Sequence, residues 1–395
     1  MHSQVGKMSL EDVKRVLLNN IRKLRSPAGW LVAGFPRYNT LFGRDSLISA
    51  WQMLSIDSSI ARATLQTLAK YQGKKTNSKT EEEPGKILHE FEFIARGRRE
   101  NERPCWEFPY YGSIDSTLLF IVLAGEYFRK TNDEKFLLQI WDNILSAFNW
   151  IGCCGDLDND CYVEYERRNP CGLFHQGWKD GVEDHLNIKP PVAIVEAQGY
   201  AYAACRSLIF LESKLGKNDA GKKALTKSEA LRKKFNRDFW MEGEKYFALA
   251  LDGEKKQRRA VTSNPGHLLF TGIISEEKTA HLVSRLFEPD LWTPYGIRSH
   301  SSKESDFDPY SYHRGSVWPH DNWITYKGLR EMGFDLYADR IREALLQAFR
   351  TLGKLPELYG VVDSRIVNLA RVKGVWANPV QAWSSAGLLE MIWGD

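Results

Sequence analysis

Residues 113–129 read Ser113-Ile114-Asp115-Ser116-Thr117-Leu118-Leu119-Phe120-Ile121-Val122-Leu123-Ala124-Gly125-Glu126-Tyr127-Phe128-Arg129. From Leu118 to Ala124 no position is polar, so a helix here is apolar all round and has to be buried. A short connection through Thr131-Asn132 then leads into 133–151, where Asp133, Glu134, Lys135 and Asp142 interrupt the apolar positions as they do on a surface helix. A buried helix, a tight turn and a surface helix make one hairpin, and the pattern recurs along the chain. Segments near 44, 113, 194, 264, 316 and 379 are rich in Ala, Gly, Ser and large apolar residues; segments near 10, 57, 133, 218, 276 and 335 carry Lys, Arg and Glu. Six buried helices alternating with six surface helices predict an all-α, six-hairpin toroid, an (α/α)6 barrel, as a single domain over 1–395. The repeat is structural, since its length in sequence is irregular.

Local signals place the elements. Ser9-Leu10-Glu11-Asp12 reads as a capping box opening the first helix, and Asp57 or Ser58 caps the third. The spacing predicts further helices near 113–129, 133–151, 194–214, 218–240, 264–274, 276–286, 316–332, 335–351 and 379–393. Connections from buried to surface helix are short. Those from surface to buried helix are long, about 28–43, 73–112, 152–193, 241–263, 287–315 and 352–378. Long loops in a compact fold usually carry function. All six open at the N-terminal ends of the buried helices, where unpaired N–H groups and partial positive charge suit hydroxyl-rich ligands and carboxylates. Segments 161–165 and 245–251 are expected to pair as short strands, and 76–83 to form a charged, mobile excursion.

Composition removes several classes of function. The 395 residues are 43% hydrophobic and 26% charged, enough for a full core. With 54 basic against 50 acidic residues, there is no electrostatic footprint for nucleic acid. No apolar run approaches the roughly 18 residues of a membrane span, and Met1–Asp12 has no apolar signal core, so a cytoplasmic protein is expected. The six cysteines form no CxxC pair and read as free thiols. No cofactor is implied, and the sequence sets no oligomeric state.

The aromatic residues hint at a ligand. Many sit in Gly/Pro-punctuated loops: Trp106 to Tyr111, Trp178, Trp292, Tyr295, Tyr310, Tyr312, Trp318 and Trp376. Sugar faces stack well on such rings, although satellite apolar clusters under long loops look the same in sequence. Among polar residues, the adjacent Arg44 and Asp45 could fork neighbouring hydroxyls or merely cap a helix. Asp180 lies in Gly177-Trp178-Lys179-Asp180-Gly181, beside a ring able to raise its pKa, though an ordinary turn Asp would read alike. Glu357 is held between Pro356 and aromatic groups and needs a partner or a task. Asp180 and Glu357, about half a ring apart, suit an acid and a base flanking a sugar.

Several segments occur in a telling order. They are Leu41 to Ser46, Pro84 to Glu90, Tyr110 to Thr117, Gly177 to Asp180, Glu196 to Tyr200, His313 to Asp321, Leu355 to Leu358 and Gln381 to Trp383. Over essentially the whole chain this resembles the glucosidase domain of glycogen-debranching enzymes (amylo-α-1,6-glucosidase). It also resembles the wider clan of glucoamylases, trehalases and processing α-glucosidases of glycoside hydrolase families 15, 37 and 63. The resemblance implies the (α/α)6 barrel and hydrolysis of an α-glycosidic bond with inversion. Asp180 would be the general acid and Glu357 the general base, about 6.5–9.5 Å apart. Arg44 and Asp45 would hold hydroxyls of the sugar, and Trp178, Lys179, His313, Arg314 and Trp318 would line its subsite, with Tyr111 and Asp115 nearby.

The departures point to alternatives. Debranching enzymes of this type carry an N-terminal β-sandwich, which is not expected here; the leading expectation is an α-glucosidase of amylo-α-1,6-glucosidase type acting on oligosaccharides, and the alternative is a hydrolase of a small α-glycoside. The second possibility includes glucosylglycerate, mannosylglycerate and trehalose, and an inactive sugar-binding barrel is a further reading. A cation beside the aglycone would favour a glycerate, with Lys179, His185 and Lys189 as candidates. Asp156, Asp158 and Asp160 resemble a calcium loop, but Cys161 stands where such a loop has glycine and position twelve is Arg167, so a metal-free turn is the expectation.

Overall fold

The computed structural model describes residues 8–93, 104–372, 374–375 and 377–394. Met1–Lys7 and Trp376 lie outside the described residues. The helices are α1 (Leu10–Leu24), α2 (Gly43–Gln52), α3 (Ser58–Lys70), α4 (Ser116–Thr131), α5 (Glu134–Gln139), α6 (Trp141–Cys153), α7 (Val195–Leu215), α8 (Gly221–Asp238), α9 (Glu276–Leu286), α10 (Pro319–Glu331), α11 (Asp335–Leu352) and α12 (Ala382–Met391). A 3-10 turn, Asn264–Leu268, stands between α8 and α9.

Burial divides these elements as the sequence pattern does. Every residue of α2 is buried, and α4 is buried from Ser116 to Gly125. On α8, by contrast, only Ala224, Ser228, Leu231 and Phe235 are covered, one stripe at helical spacing. Packing closes a ring: α2 touches α4, α4 touches α7, α7 touches the 3-10 turn, that turn touches α10, α10 touches α12, and α12 returns to α2. Outside it, α3 packs on α2 and α4, α6 on α4, α8 on α7, α9 on the 3-10 turn, α11 on α10 and α1 on α12. This is the six-hairpin toroid. Each buried leucine of that ring contributes roughly 1.5–3 kcal/mol relative to exposure.

Capping chemistry sets the helix ends. Ser9 Oγ accepts the Asp12 N–H at 3.1 Å, Asp57 Oδ1 the Ser59 N–H at 3.0 Å, and Asp133 Oδ1 the Phe136 N–H at 3.1 Å. Asn132, at φ +52°, ends α4 in the left-handed region, and Pro319 opens α10. At the start of α8 the Glu212 carboxylate accepts the N–H groups of Asp219, Ala220 and Gly221.

Four expectations need correction. The buried helix expected over 264–274 is one short 3-10 turn, Asn264–Leu268, with Pro265 at its second position, and beyond it Gly272, at φ +78°, cannot continue a helix. Segments 161–165 and 245–251 do not pair with each other: Ala193–Ile194 pairs with Ala250–Leu251, which pairs with Gln257–Arg258, and Tyr165 bridges Val192. The charged stretch 76–83 is docked, not a loose excursion. Glu81 Oε1 accepts the N–H groups of Arg168 and Asn169, and Thr80 O accepts from Tyr111 N–H. Finally, Cys105 and Cys171 are joined in a disulfide, their Cα atoms 5.7 Å apart. Two long loops bring together residues 66 apart in sequence, so no local spacing reveals the pair.

Candidate active site

Loops from several hairpins meet at the N-terminal ends of the inner helices around one cavity of about 660 Å3. That volume suits a small-molecule site. Its position follows from tight packing: a Cβ at Gly43 would collide with Leu88 O and Ser116, so only glycine lets the start of α2 sit against α4 and present Arg44.

Asp180 stands on a closed loop. Phe174 and His175 donate their N–H groups to Gly181 O at 2.7 and 3.1 Å, and Gly181 N–H returns to His175 O at 3.3 Å. At the tip, Lys179 Nζ donates to Ser299 O at 2.6 Å, pointing into the protein and anchoring the loop. Burial pushes that ammonium down to about 8. Asp180 faces the cavity with 27% of its side chain exposed, and Arg44 Nη1 donates to its Oδ2 at 2.9 Å. Burial raises the Asp180 pKa, and the Arg44 charge opposes the rise.

Arg44 has three partners. Its Nε donates to Asp115 Oδ2 at 2.6 Å, its Nη1 to Asp180 and its Nη2 to Gly177 O at 2.8 Å. Asp115 is fully buried and also accepts from Ser113 Oγ at 2.7 Å. Arg44 thus ties the Asp180 loop to the starts of α2 and α4, with each of its three nitrogens bonded to protein. Asp45 turns to the other side, where Gln381 Nε2 donates to its Oδ1 at 3.0 Å. Burial pushes its carboxyl up to about 7 against the pull of Arg44.

Glu357 lies on the opposite wall, 2% exposed. Its backbone is pinned on both sides: Glu357 N–H donates to Asn378 O at 2.9 Å, and Tyr359 exchanges bonds with Val317. Its carboxylate accepts from Tyr312 Oη at 2.6 Å and from the Asn378 N–H at 2.7 Å. Burial pushes its pKa up to about 8; those two donors pull downward, and Asp45 and Asp180 add to the rise.

Rings form the floor. His313 and Trp318 stack at 5.3 Å and 10°, His320 and Trp383 at 3.9 Å, and Trp178 meets the His313 and Trp318 rings edge-on. Among the described residues, the indole N–H of Trp178 and both ring nitrogens of His313 have no hydrogen-bond partner.

Of the residues singled out from sequence, Arg44, Asp45, Trp178, Asp180, His313, Trp318 and Glu357 line the cavity. Four do not. Tyr111 is buried with its hydroxyl donating to Tyr71 O at 2.8 Å, Asp115 lies beneath Arg44, Lys179 points at Ser299, and Arg314 rests half-buried against Ser311. Neither His185 nor Lys189 lines the cavity: His185 stacks on His313, and Lys189 pairs with Glu254 at the surface. Sequence reasoning missed Arg37, Tyr38 and Arg167 as lining residues, whereas Trp106 stood among the loop aromatics suited to a sugar. It quoted Phe42, His89 and Trp383 within motifs, and Tyr312 among the loop aromatics, but gave none of them a particular role. Trp292 and Tyr295 lie off the cavity and pack against the core, so for them the apolar-cluster reading holds, while Tyr310 is exposed.

The acidic loop at 156–160 is filled by lysines. Lys227 pairs with Asp156 at 3.2 Å, Lys234 with Asp160 at 3.2 Å, and Lys255 with Asp158 at 2.9 Å and with the buried Glu164. Asp156 also accepts the N–H groups of Asp160 and Cys161. Three ammonium groups supply the positive charge that a cation would bring.

Two carboxylates facing one ring-floored cavity at the mouth of a six-hairpin toroid mark the class, a glycoside hydrolase. The match is specific. The family described as mannosylglycerate hydrolase MGH1-like glycoside hydrolase domain covers residues 38–359, and the chain belongs to that family. A mannosylglycerate hydrolase of Rubrobacter radiotolerans is 28% identical over 153 residues, 38% of this chain and 34% of that one. A probable mannosyl-oligosaccharide glucosidase of Schizosaccharomyces pombe is 24% identical over 226 residues, 52% of this chain and 28% of that one. The matched stretches therefore span about a third of those relatives' own lengths. The family 63 mannosylglycerate hydrolase of Thermus thermophilus, solved with Tris and D-glycerate, shares the fold at a TM-score of 0.73 and 15% identity, over 97% of this chain and 100% of that one. These matches lie within the clan of families 15, 37 and 63 and favour the small-glycoside alternative over glycogen debranching.

Proposed function

We propose that the chain is an inverting hydrolase of a small α-glycoside of the mannosylglycerate or glucosylglycerate kind, with Asp180 as general acid and Glu357 as general base. The observation that carries this is the unlike setting of two carboxyls across one cavity. Asp180 sits on a loop tip with one charged partner, and Glu357 is held by two donors aimed at its oxygens. Asp180 gives its proton to the glycosidic oxygen as the C1–O bond breaks. Glu357 takes a proton from a water that attacks C1 from the opposite face, and the sugar leaves as the β-anomer. Each proton transfer is worth about 10²–10⁴ in rate. Arg44 acts by position, fixing the Asp180 loop on Asp115. The stacked His313 and Trp318 rings offer a face to the sugar. The choice of a glycerate glycoside over a debranching substrate rests on the family and on the named relatives.

Activity on a panel of α-glucosides and α-mannosides, followed by NMR, tests the reading: the glycerate glycosides should be turned over with the β-anomer as first product. Asp180→Asn and Glu357→Gln should each lose activity at least about 10²-fold. Azide should restore Glu357→Gln while forming a β-glycosyl azide. Release of the α-anomer, or full activity in either variant, would refute the assignment.

A further inference from the structure

Arg167 has no carboxylate partner among the described residues, although it lines the catalytic cavity. Its Nη1 is spent on Val182 O at 3.2 Å and Gly172 O at 3.4 Å, and its guanidinium lies 5.0 Å over the Phe174 ring. Nearby acids are committed elsewhere: Glu83 pairs with Arg168 at 2.7 Å, and Glu81 accepts backbone N–H groups. A half-buried guanidinium braced on one edge by carbonyls and on one face by a ring is set in place, with its remaining N–H donors unused.

Its location decides what it meets. The acid protonates the leaving oxygen, so the leaving group has to sit on the side of the acid. Arg167 is fastened to Val182, two residues beyond Asp180, and shares its wall with Cys171 and Leu173. The other arginine at the rim, Arg37, lies on the side of the base: its N–H donates to Asn378 Oδ1 at 3.1 Å, and Asn378 N–H donates to Glu357. We infer that Arg167 is the specificity-determining residue for the leaving group, gripping a carboxylate on the aglycone through its unused donors. The inference rests on the hydrolase reading above and adds to it the residue that selects an acidic aglycone. The cations suggested by sequence, Lys179, His185 and Lys189, do not reach this wall.

The test compares kcat/KM for α-mannosyl- or α-glucosylglycerate with that for the matching glycerol glycoside, which lacks the carboxylate. Wild type should favour the glycerate glycoside, and Arg167→Gln should lower that ratio by about 10- to 100-fold, the range of one charge-assisted contact. Arg167→Lys, which keeps the charge and loses the fork, should recover part of the preference. Independently of any variant, D-glycerate should inhibit the wild-type enzyme at lower concentration than glycerol does. A wild type that favours the glycerate glycoside, combined with an unchanged ratio in Arg167→Gln, overturns the role of Arg167 and leaves the hydrolase reading standing. A wild type with no such preference overturns both.

Discussion

Replacing Tyr312 by Phe removes one atom from the site, the hydroxyl donating to Glu357 Oε1 at 2.6 Å. Glu357 then keeps a single donor, the Asn378 N–H at 2.7 Å. A hydrogen bond to a charged group is worth about 1.5–3 kcal/mol, and one pKa unit is about 1.36 kcal/mol. Losing a donor that favours the anion should therefore move the Glu357 pKa upward from about 8 by about one to two units. The sign is fixed because the bond stabilises the ionised form, which is the form a base needs. At pH 7 the ionised fraction falls by about 10- to 100-fold, and kcat/KM should fall with it. The assay is kcat/KM against pH for wild type and Tyr312→Phe on one good substrate, since that parameter reports the free enzyme. The limb of the profile that reports Glu357 should move to higher pH and the other should stay. A limb that stays in place while activity drops would show that Tyr312 acts by packing alone. A downward move would refute the argument outright.

Arg44→Lys should cost both stability and rate, because an ammonium cannot serve Asp115, Asp180 and Gly177 O together. Up to about 3–5 kcal/mol is at stake when a buried pair is broken, read by denaturant unfolding, alongside a roughly 10²-fold fall in kcat. Lys255→Met leaves Glu164 and Asp158 without their cation and should destabilise by about 1–3 kcal/mol. Calcium and chelators should leave the wild-type melting temperature alike, and a calcium-dependent rise would return the 156–160 loop to the metal reading. The double variant Cys105→Ser, Cys171→Ser frees a loop of 66 residues, worth at most about 4 kcal/mol, and should lower the melting temperature. Since both residues line the cavity, KM should rise as well.

What the sequence made legible was what periodicity and motif carry. The apolar run Leu118–Ala124 followed by a charged segment is a hairpin in the structure, and six such hairpins close the ring. Asp180 and Glu357 could be picked out because each stands in a motif that sets its surroundings. The role of Arg44 was not legible, because pairing it with Asp45 by adjacency overlooked Asp115 and Gly177, which reach it from other loops. Arg167 was hidden by composition: in Glu166-Arg167-Arg168 it looks like any solvated charge run. Its meaning comes from Val182 and Phe174, brought to it by the fold. The disulfide escaped for the same reason. Contacts between loops obey no short-range rule, so residues defined by them have to be read from three-dimensional placement.

Charge counting ties these points together. Five carboxyls, Asp45, Glu90, Asp115, Asp180 and Glu357, gather in or beneath the cavity, and Arg44 is bonded to two of them. Asp115 and Asp180 take its ion pairs, so Glu357 carries its burial cost with neutral donors alone and Asp45 with only the unbonded pull of Arg44, and they are pushed up to about 8 and about 7. Near neutral pH burial therefore favours a proton on Glu357 before the other carboxyls. The proposed chemistry needs it on Asp180, whose proton and whose bond from Arg44 compete for the same carboxylate. Productive binding has to move the proton from one wall to the other, and a sugar hydroxyl or water reaching Glu357 would favour the move by adding a donor to its anion. Coupled groups titrate as a set, so a single profile cannot say which limb belongs to which residue. The Tyr312→Phe profile can, because it alters one partner only. If the alkaline limb moves, the resting proton sits on Glu357 and the working form is the minor one. If the acidic limb moves, Asp180 already holds the proton before the substrate arrives.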